Sequence, residues 1–114
     1  MSAFTAGQLA YLQGERRLGR IATVSSDGTP HVVPVGWTFN SDRDTIDVGG
    51  HNFAATKKYR DVSQSGRAAI VIDDVIPPWQ PRGVEVRGRA VAVAGAQPLI
   101  RIHLDHIVSW GIEL

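Results

Sequence analysis

The sequence Gly49-Gly50-His51-Asn52-Phe53-Ala54-Ala55-Thr56-Lys57-Lys58-Tyr59-Arg60 predicts a helix that interrupts a chain otherwise rich in strand patterns. Thr56 is the predicted N-cap, which places Lys57, Lys58 and Arg60 in the first turn. A helix N-terminus carries partial positive charge, so each cation should be unfavourable there by about 0.3–1 kcal/mol. A bound anion would remove this conflict, and the segment therefore predicts a phosphate cradle after a Gly-Gly that permits close backbone approach. The alternative is an amphipathic helix whose lysines face water.

Length and composition limit what can surround this cradle. With 114 residues and 43% hydrophobic content, the chain is predicted to form one domain, 1–114. The net charge of +1 argues against a protein that mainly coats nucleic acid, and the absence of cysteine excludes disulfides, thiolate metal sites and thiol nucleophiles. Because neither a signal-peptide pattern nor an apolar run of membrane length occurs, we expect a cytoplasmic protein without a membrane partner.

Strand patterns lie on both sides of the cationic helix. A first helix is predicted at about 5–13, a strand at 20–25, a hairpin turn through Asp27-Gly28, and a long return strand at 30–40. Pro34 lies within that return strand and predicts an edge or a bulge, because proline cannot donate to a sheet ladder. A third strand is predicted at 45–49, and the cationic helix then continues to about Gln64.

The second half of the chain is again rich in strand patterns. Strands are predicted at 67–74 and 83–94, with a loop at 75–81 between them and one or two closing strands at 99–110. In the strand at 83–94, valines and alanines alternate with a polar face that carries Glu85, Arg87 and Arg89. The pattern predicts a small, mainly β (α+β) antiparallel barrel of six to seven strands with short helices.

Four segments resemble a known family in their order and spacing. They are 19–24, 27–35, 49–62 and 82–90, and together they resemble the pyridoxamine 5'-phosphate oxidase-like split β-barrels, the flavin and deazaflavin oxidoreductases. Within that superfamily, the block 49–58 and the ending 108–111 are similar to the small F420-dependent oxidase-like group. The resemblance implies an FMN-binding-like split β-barrel and a homodimer with the cofactor at the subunit interface.

The resemblance also implies which residues contact the cofactor. Thr56, Lys57 and Lys58 match the Ser-Arg-Lys phosphate clamp of the oxidases, which agrees with the cradle inferred from the helix dipole. Further implied contacts are Arg20, Val48, Gly49 and Gly50 from one subunit and Trp79, Arg82 or Trp110 from the other. Gly83 stands where the oxidases have a Gln, so that contact to the ring is absent.

The function implied is hydride transfer from reduced coenzyme F420 to an unidentified small electron-poor substrate. Two alternatives stay open: an oxidoreductase that binds flavin mononucleotide (FMN), and a carrier that binds a flavin or deazaflavin without turnover. The oligoglutamate tail of F420 would need additional cations, for which Arg60, Arg82, Arg87 and Arg89 are candidates. Nucleic-acid binding through Arg82, Arg87 and Arg89 is less favoured, because the sequence lacks the interleaved aromatic residues of a base-stacking surface.

Catalytic and metal-binding side chains are not evident in the sequence. His31 and His51 are the histidines considered for a catalytic role, but the sequence shows no acid or base paired with either of them, so the catalytic residues are unassigned. Asp73-Asp74 has no third ligand at metal-binding spacing, and we expect no metal.

Overall fold

The computed structural model describes residues 1–112, which form an antiparallel sheet with two short α-helices and one 3-10 helix. In chain order the elements are α1 (Ala6–Gln13), β1 (Gly19–Val24), β2 (Pro30–Val35), β3 (Thr38–Asn40), β4 (Thr45–Gly49), the 3-10 helix (Phe53–Ala55), α2 (Lys57–Ser65), β5 (Arg67–Ile76), β6 (Gln80–Val93), β7 (Leu99–His103) and β8 (His106–Trp110). The mainly β class predicted from the sequence is confirmed, with eight strands in the described part of the chain where six to seven were predicted.

Both helices lie where the sequence predicts them, and α2 extends one residue beyond the predicted end at Gln64, to Ser65. Thr5 and Gln8 form a capping box at α1, in which the Thr5 hydroxyl accepts from the Gln8 backbone N–H and the Gln8 side chain accepts from the Thr5 N–H. The Thr56 hydroxyl accepts from the Tyr59 backbone N–H at 3.3 Å and so caps α2. α2 ends at Gly66, whose φ of 69° lies in the left-handed region that glycine adopts without strain.

The strand order is β2-β1-β5-β6-β7-β4-β3, and β8 pairs with β6. β6 joins the two halves of the sheet, because residues 80–89 pair with β5 and residues 90–93 pair with β7. The inner faces of these strands supply an aliphatic core of fully buried side chains: Ile21, Ile46, Val48, Ile70, Ile72, Val84, Val86, Ile100 and Ile102. Pro34 lies on β2, an edge strand, as its missing N–H predicts.

The prediction of one long strand at 30–40 is wrong. The chain leaves β2 after Val35 and enters β3 at Thr38, and these strands lie at opposite ends of the strand order. The break occurs at Gly36-Trp37, where the Trp37 ring is buried and its indole N–H donates to the Arg17 carbonyl at 2.7 Å. Burial of the indole therefore turns the chain from one edge strand to the other.

The loop predicted at 75–81 is also wrong. β5 and β6 stay paired as far as Ile76 and Gln80, so a tight turn of Pro77, Pro78 and Trp79 joins them. The β-branched pair Val75-Ile76 continues the strand, and the two consecutive prolines lie in the turn. Within residues 1–112, no helix has the length and apolar character needed to cross a membrane.

Candidate cofactor-binding site

A cavity of about 800 Å³ lies where β4 ends and the chain turns toward α2. Three segments that are distant in sequence form most of its wall: the link between β2 and β3, the segment 49–54, and the loop 96–99 between β6 and β7. The lining residues are Arg16, Gly36, Trp37, Thr38, Asp47, Gly49, Gly50, His51, Asn52, Phe53, Ala54, Ala96, Gln97, Pro98 and Leu99. Of the residues predicted from the sequence, Gly49 and Gly50 are in this wall.

Three glycines leave bare backbone on the cavity wall. A Cβ built at Gly36 would meet no atom within 4 Å, and one at Gly49 would lie 3.8 Å from the nearest atom, the Pro98 carbonyl oxygen. A Cβ at Gly50 would lie 3.6 Å from the Phe53 ring. A side chain at these positions would thus take space from the cavity, whereas glycine lets a flat ligand approach the backbone.

The charged groups of the cavity are Asp47 and Arg16. Asp47 is nearly buried, and it accepts hydrogen bonds from Arg101, Asn40 and Thr45 at 2.9–3.2 Å. Burial alone would raise its pKa, but the bonds from Arg101, Asn40 and Thr45 outweigh burial and lower the pKa. The Asp47 carboxylate is therefore ionised, and Arg101 balances its charge. This leaves Arg16 as the cation of the wall, with its guanidinium 5.0 Å from the Trp37 ring centroid.

The N-terminus of α2 follows this cavity directly in sequence. Phe53 lines the cavity, and the Lys58 ammonium lies 5.2 Å from the centroid of its ring. Within the described residues, the backbone N–H groups of Lys57 and Lys58 have no hydrogen-bond acceptor, while the next N–H, that of Tyr59, is capped by Thr56. Two N–H donors and one ammonium are thus available to an anion beside the cavity.

The Lys57 ammonium already forms an ion pair with a carboxylate of the protein. Its ammonium donates to Asp61 at 3.2 Å, and the Thr23 hydroxyl donates to the other Asp61 oxygen at 2.8 Å. Burial would raise the pKa of Asp61, but these hydrogen bonds outweigh burial and lower it. Part of the charge conflict predicted at the start of α2 is therefore resolved by Asp61 rather than by a ligand.

Arg20, Trp79, Arg82 and Trp110 do not line this cavity. Arg20 pairs with Asp73 at 2.9 Å on the outer face of the sheet, and Trp79 is 74% exposed at the β5–β6 turn. Trp110 lies on β8 opposite Gly83. Val48, a further predicted contact, is fully buried opposite Ile100, so only its backbone can touch a ligand.

Arg82 belongs to a network that ties α1 to the β5–β6 hairpin. Its guanidinium makes two hydrogen bonds to Asp74, at 2.7 and 2.9 Å, and Arg17 makes a third to the same carboxylate at 3.0 Å. The Tyr11 hydroxyl donates to Asp74 at 2.9 Å, and burial together with this bond raises the pKa of Tyr11 to about 12. Arg82 is thus paired with a carboxylate of its own chain.

The two aspartates considered for a metal are ion-pair partners. Asp73 pairs with Arg20, and Asp74 pairs with Arg17 and Arg82. In the part of the chain that the structure describes, no three His, Asp or Glu side chains are grouped as metal ligands.

Most residues of the cavity wall were not predicted from the sequence. Gly36-Trp37 carried a usable signal, because a glycine that breaks a strand pattern often marks a bend. The loop 96–99 carried no such signal, since its place in the wall depends on how β6, β7 and β4 pair. Arg16 carried none either, because it belongs to the wall through its contact with the Trp37 ring.

The family that the sequence resembles is also found by comparison with known proteins. The pyridoxamine 5'-phosphate oxidase family matches residues 6–107. A 5a,11a-dehydrotetracycline/5a,11a-dehydrooxytetracycline reductase of Streptomyces rimosus is 37% identical over an alignment of 121 positions, and the alignment covers 96% of this chain and 84% of that protein.

Two solved structures share the fold at low sequence identity. A conserved hypothetical protein of Mycobacterium tuberculosis has a TM-score of 0.77 at 17% identity, covering 96% of this chain and 86% of that one. An F420 reductase has a TM-score of 0.66 at 17% identity, covering 87% of this chain and 94% of that one. From the match over residues 6–107 and the relative at 37% identity, the chain belongs to the pyridoxamine 5'-phosphate oxidase family.

Proposed function

We propose that the protein is an oxidoreductase that uses coenzyme F420 to reduce a small electron-poor substrate. The observation that carries this proposal is the cavity of about 800 Å³ whose glycine-lined wall leads directly into the N-terminus of α2. The reductase of Streptomyces rimosus supports a reducing activity, because it is similar over almost the whole chain. The choice of F420 over FMN rests on the resemblance of the block 49–58.

The residues around the cavity fit a tricyclic ring that carries a phosphate. Gly36, Gly49 and Gly50 offer bare backbone to a flat ring, and Trp37 and Phe53 add apolar wall. The N–H groups of Lys57 and Lys58, with the Lys58 ammonium, would hold the phosphate. A reduced F420 held there would supply the hydride for an electron-poor double bond, and water would supply the proton.

A second copy of the chain would close this open site. The tip of the β5–β6 hairpin carries exposed apolar side chains at Val75, Ile76 and Trp79, which are 41%, 40% and 74% exposed. Exposed apolar groups clustered at one tip are typical of an interface, and a two-fold dimer would place each tip on the other subunit. Of the three residues expected to reach the partner's cofactor, Trp79 suits the role best, since Arg82 is paired with Asp74.

The name of the Streptomyces relative suggests the class of substrate. A reductase of a 5a,11a-dehydro compound acts on a carbon–carbon double bond. We therefore propose an activated double bond in a small molecule as the acceptor of this protein.

The alternative function is a carrier that binds the cofactor without turnover. It is favoured by one observation: among the cavity-lining residues, His51 is the only histidine that could act as an acid or base, and it is exposed. Since water can supply the proton, this does not exclude an enzyme.

Anaerobic reoxidation of reduced F420 distinguishes the enzyme from the carrier. Protein, reduced cofactor and a dehydrotetracycline are mixed, and the return of oxidised F420 is followed by its absorbance. The proposal predicts acceleration by the wild type, and a smaller acceleration by Lys58→Ala at subsaturating cofactor. Tight binding of F420 without any acceleration, across a panel of activated double bonds, would instead establish the carrier.

A further inference from the structure

Arg16, the cation of the cavity wall, lies over an aromatic ring that is itself fixed in place. Its guanidinium is 5.0 Å from the centroid of the Trp37 ring. That ring is buried, and its indole N–H donates to the Arg17 carbonyl at 2.7 Å. A Cβ built at Gly19 would lie 2.9 Å from the Trp37 ring, so the ring also packs tightly against β1. The Trp37 ring therefore limits where the Arg16 guanidinium can lie.

The two consecutive arginines of this segment have different partners. Arg17 donates to Asp74 at 3.0 Å, so a carboxylate of the chain engages it. Within residues 1–112, no hydrogen bond or ion pair engages the Arg16 guanidinium. The carboxylate of the cavity wall, Asp47, is bound by Arg101 instead. Arg16 thus keeps its charge and its N–H donors available to a ligand in the cavity.

Arg16 is separate from the phosphate cradle. The cradle lies at the N-terminus of α2, which follows the wall segment 49–54, whereas Arg16 lies over Trp37 in the link between β2 and β3. Sites for small molecules have volumes of about 300–1,000 Å³, so the cavity of about 800 Å³ is large enough for a second small molecule beside a ring. The positive charge of Arg16 is therefore available to the acceptor.

Reduction of a double bond that is conjugated to a carbonyl group creates negative charge on oxygen. The hydride brings an electron pair to the β-carbon, where a C–H bond forms, and its departure leaves the cofactor oxidised by two electrons. The C=C pair moves to the bond between the α-carbon and the carbonyl carbon, and the C=O pair moves onto the oxygen of an enolate. A proton from water then adds at the α-carbon, and the carbonyl group forms again. A guanidinium at the oxygen stabilises this developing charge more than it stabilises the neutral substrate.

We propose that Arg16 binds this oxygen and that the acceptor is an α,β-unsaturated carbonyl compound. The inference rests on the proposed function, and it narrows the acceptor from any activated double bond to one conjugated with a carbonyl group. The planar guanidinium suits the role, because one face can lie over Trp37 while the N–H groups at its edge point to an oxygen.

The first experiment measures binding of a stable enolate without any reaction or cofactor. The probe is the anion of dimedone, a cyclic diketone, and cyclohexanone is its neutral counterpart. NMR follows the Arg16 Nε–H and Trp37 indole N–H signals during titration. We expect the anion to shift both signals and cyclohexanone, at the same concentrations, to shift neither.

Variants of Arg16 test whether the guanidinium causes this binding. Arg16 is exposed and has no carboxylate partner within residues 1–112, so Arg16→Gln should fold. With the Trp37 signal as the readout, we expect Arg16→Gln to bind the dimedone anion at least ~10-fold more weakly. Arg43 is an exposed turn residue outside the cavity wall, so Arg43→Gln should bind the anion like the wild type.

The second experiment separates an effect on the acceptor from an effect on the cofactor. Affinity for F420 is measured by fluorescence anisotropy, and anaerobic reoxidation of reduced F420 is followed with a dehydrotetracycline and with simpler α,β-unsaturated ketones. We expect Arg16→Gln to lower kcat/KM for the acceptor at least ~10-fold and to leave the affinity for F420 unchanged. Arg16→Lys should give an intermediate kcat/KM, because an ammonium keeps the charge but not the planar fork.

The results distinguish failure of this site from failure of the proposed function. If dimedone leaves the Arg16 and Trp37 signals unchanged, the oxygen site is wrong, whereas binding of F420 would leave the proposed function intact. A loss of F420 affinity in Arg16→Gln as large as its loss of kcat/KM would assign Arg16 to the cofactor and also overturn the site. If the wild type binds no F420 but dimedone still shifts both signals, the proposed function fails and the anion site at Arg16 stands.

Discussion

Lys57 has a structural partner as well as a place at the helix N-terminus. Replacing Lys57 with Ala leaves the buried Asp61 carboxylate with Thr23 as its remaining side-chain donor. We expect Lys57→Ala to lower the free energy of unfolding by about 1–3 kcal/mol, because a hydrogen-bonded charge loses its partner. Lys58, which lies over the Phe53 ring, should change stability by no more than about 0.5 kcal/mol when replaced by Ala. Urea unfolding of both variants measures the difference.

Asp61→Asn in the Lys57→Ala background is the control, since it removes the unpaired charge and should restore part of the stability. Equal stability of Lys57→Ala and Lys58→Ala would show that the pair at 3.2 Å contributes nothing. If they differ as expected, Lys58→Ala is the variant with which to probe the cradle, because its effect on ligand binding is not mixed with an effect on folding.

Asp74 should give the fold an acid-sensitive component. Hydrogen bonds from Arg82, and further bonds from Arg17 and Tyr11, lower the pKa of Asp74 well below its ordinary value of 3.8 despite partial burial. A carboxylate with a lowered folded-state pKa contributes stability that is fully present at neutral pH and is lost as the pH falls below about 4. We therefore expect Asp74→Asn to be less stable than the wild type at pH 7 and to lose less stability between pH 5 and pH 2.

Urea unfolding at several pH values tests this expectation, with Asp42→Asn as the matched control. Asp42 is exposed in the turn between β3 and β4, so its replacement should leave the pH profile of the wild type unchanged. A profile for Asp74→Asn that runs parallel to that of the wild type would contradict the account.

At the scale of elements, β5, β6 and β8 meet so closely at Gly83 that no side chain fits there. A Cβ at this position would lie 2.7 Å from the Asp73 Cβ, 2.8 Å from the Trp110 ring and 3.0 Å from the Ile72 carbonyl oxygen. Gly83→Ala should thus lower the free energy of unfolding by about 1–3 kcal/mol through overpacking. Gly36→Ala is the control, because a Cβ there meets no atom within 4 Å, and equal thermal stability of the two variants would contradict the packing.

Elements set by local chemistry could be predicted, and those set by distant contacts could not. Thr56 and Gly66 bound α2 through their own backbone preferences, and Asp27-Gly28 gives the first hairpin. The break between β2 and β3 escaped prediction because it depends on burial of Trp37 and its bond to a carbonyl 20 residues earlier.

For the candidate site, the sequence indicated the helix N-terminus and the Gly-Gly segment but not the rest of the cavity. The four-residue spacing of Lys57 and Asp61 would have predicted their ion pair. The loop 96–99 reaches Gly49 through the pairing of β4 with β7, and Arg16 enters the wall through its contact with the Trp37 ring; local patterns specify neither contact.

At the scale of the whole molecule, the exposed tip of the β5–β6 hairpin predicts self-association. We expect sedimentation equilibrium to show a dimer at micromolar concentration, and Ile76→Asp/Trp79→Ser to shift it toward monomer, because charged or polar groups would be buried without partners. Val91→Asp is the control, since Val91 is 49% exposed on the part of β6 that pairs with β7. A wild type that stays monomeric, or a dimer weakened equally by both changes, would contradict this interface.

The proposed function requires the cavity and the α2 N-terminus to hold a deazaflavin cofactor together. The most direct test is to titrate the purified apo-protein in parallel with F420 and FMN at matched salt, following the fluorescence polarisation of each cofactor. The account predicts micromolar or tighter binding of F420, weaker binding of FMN, and loss of affinity for F420 in Lys58→Ala. Preference for FMN, or no binding of either cofactor, would contradict it.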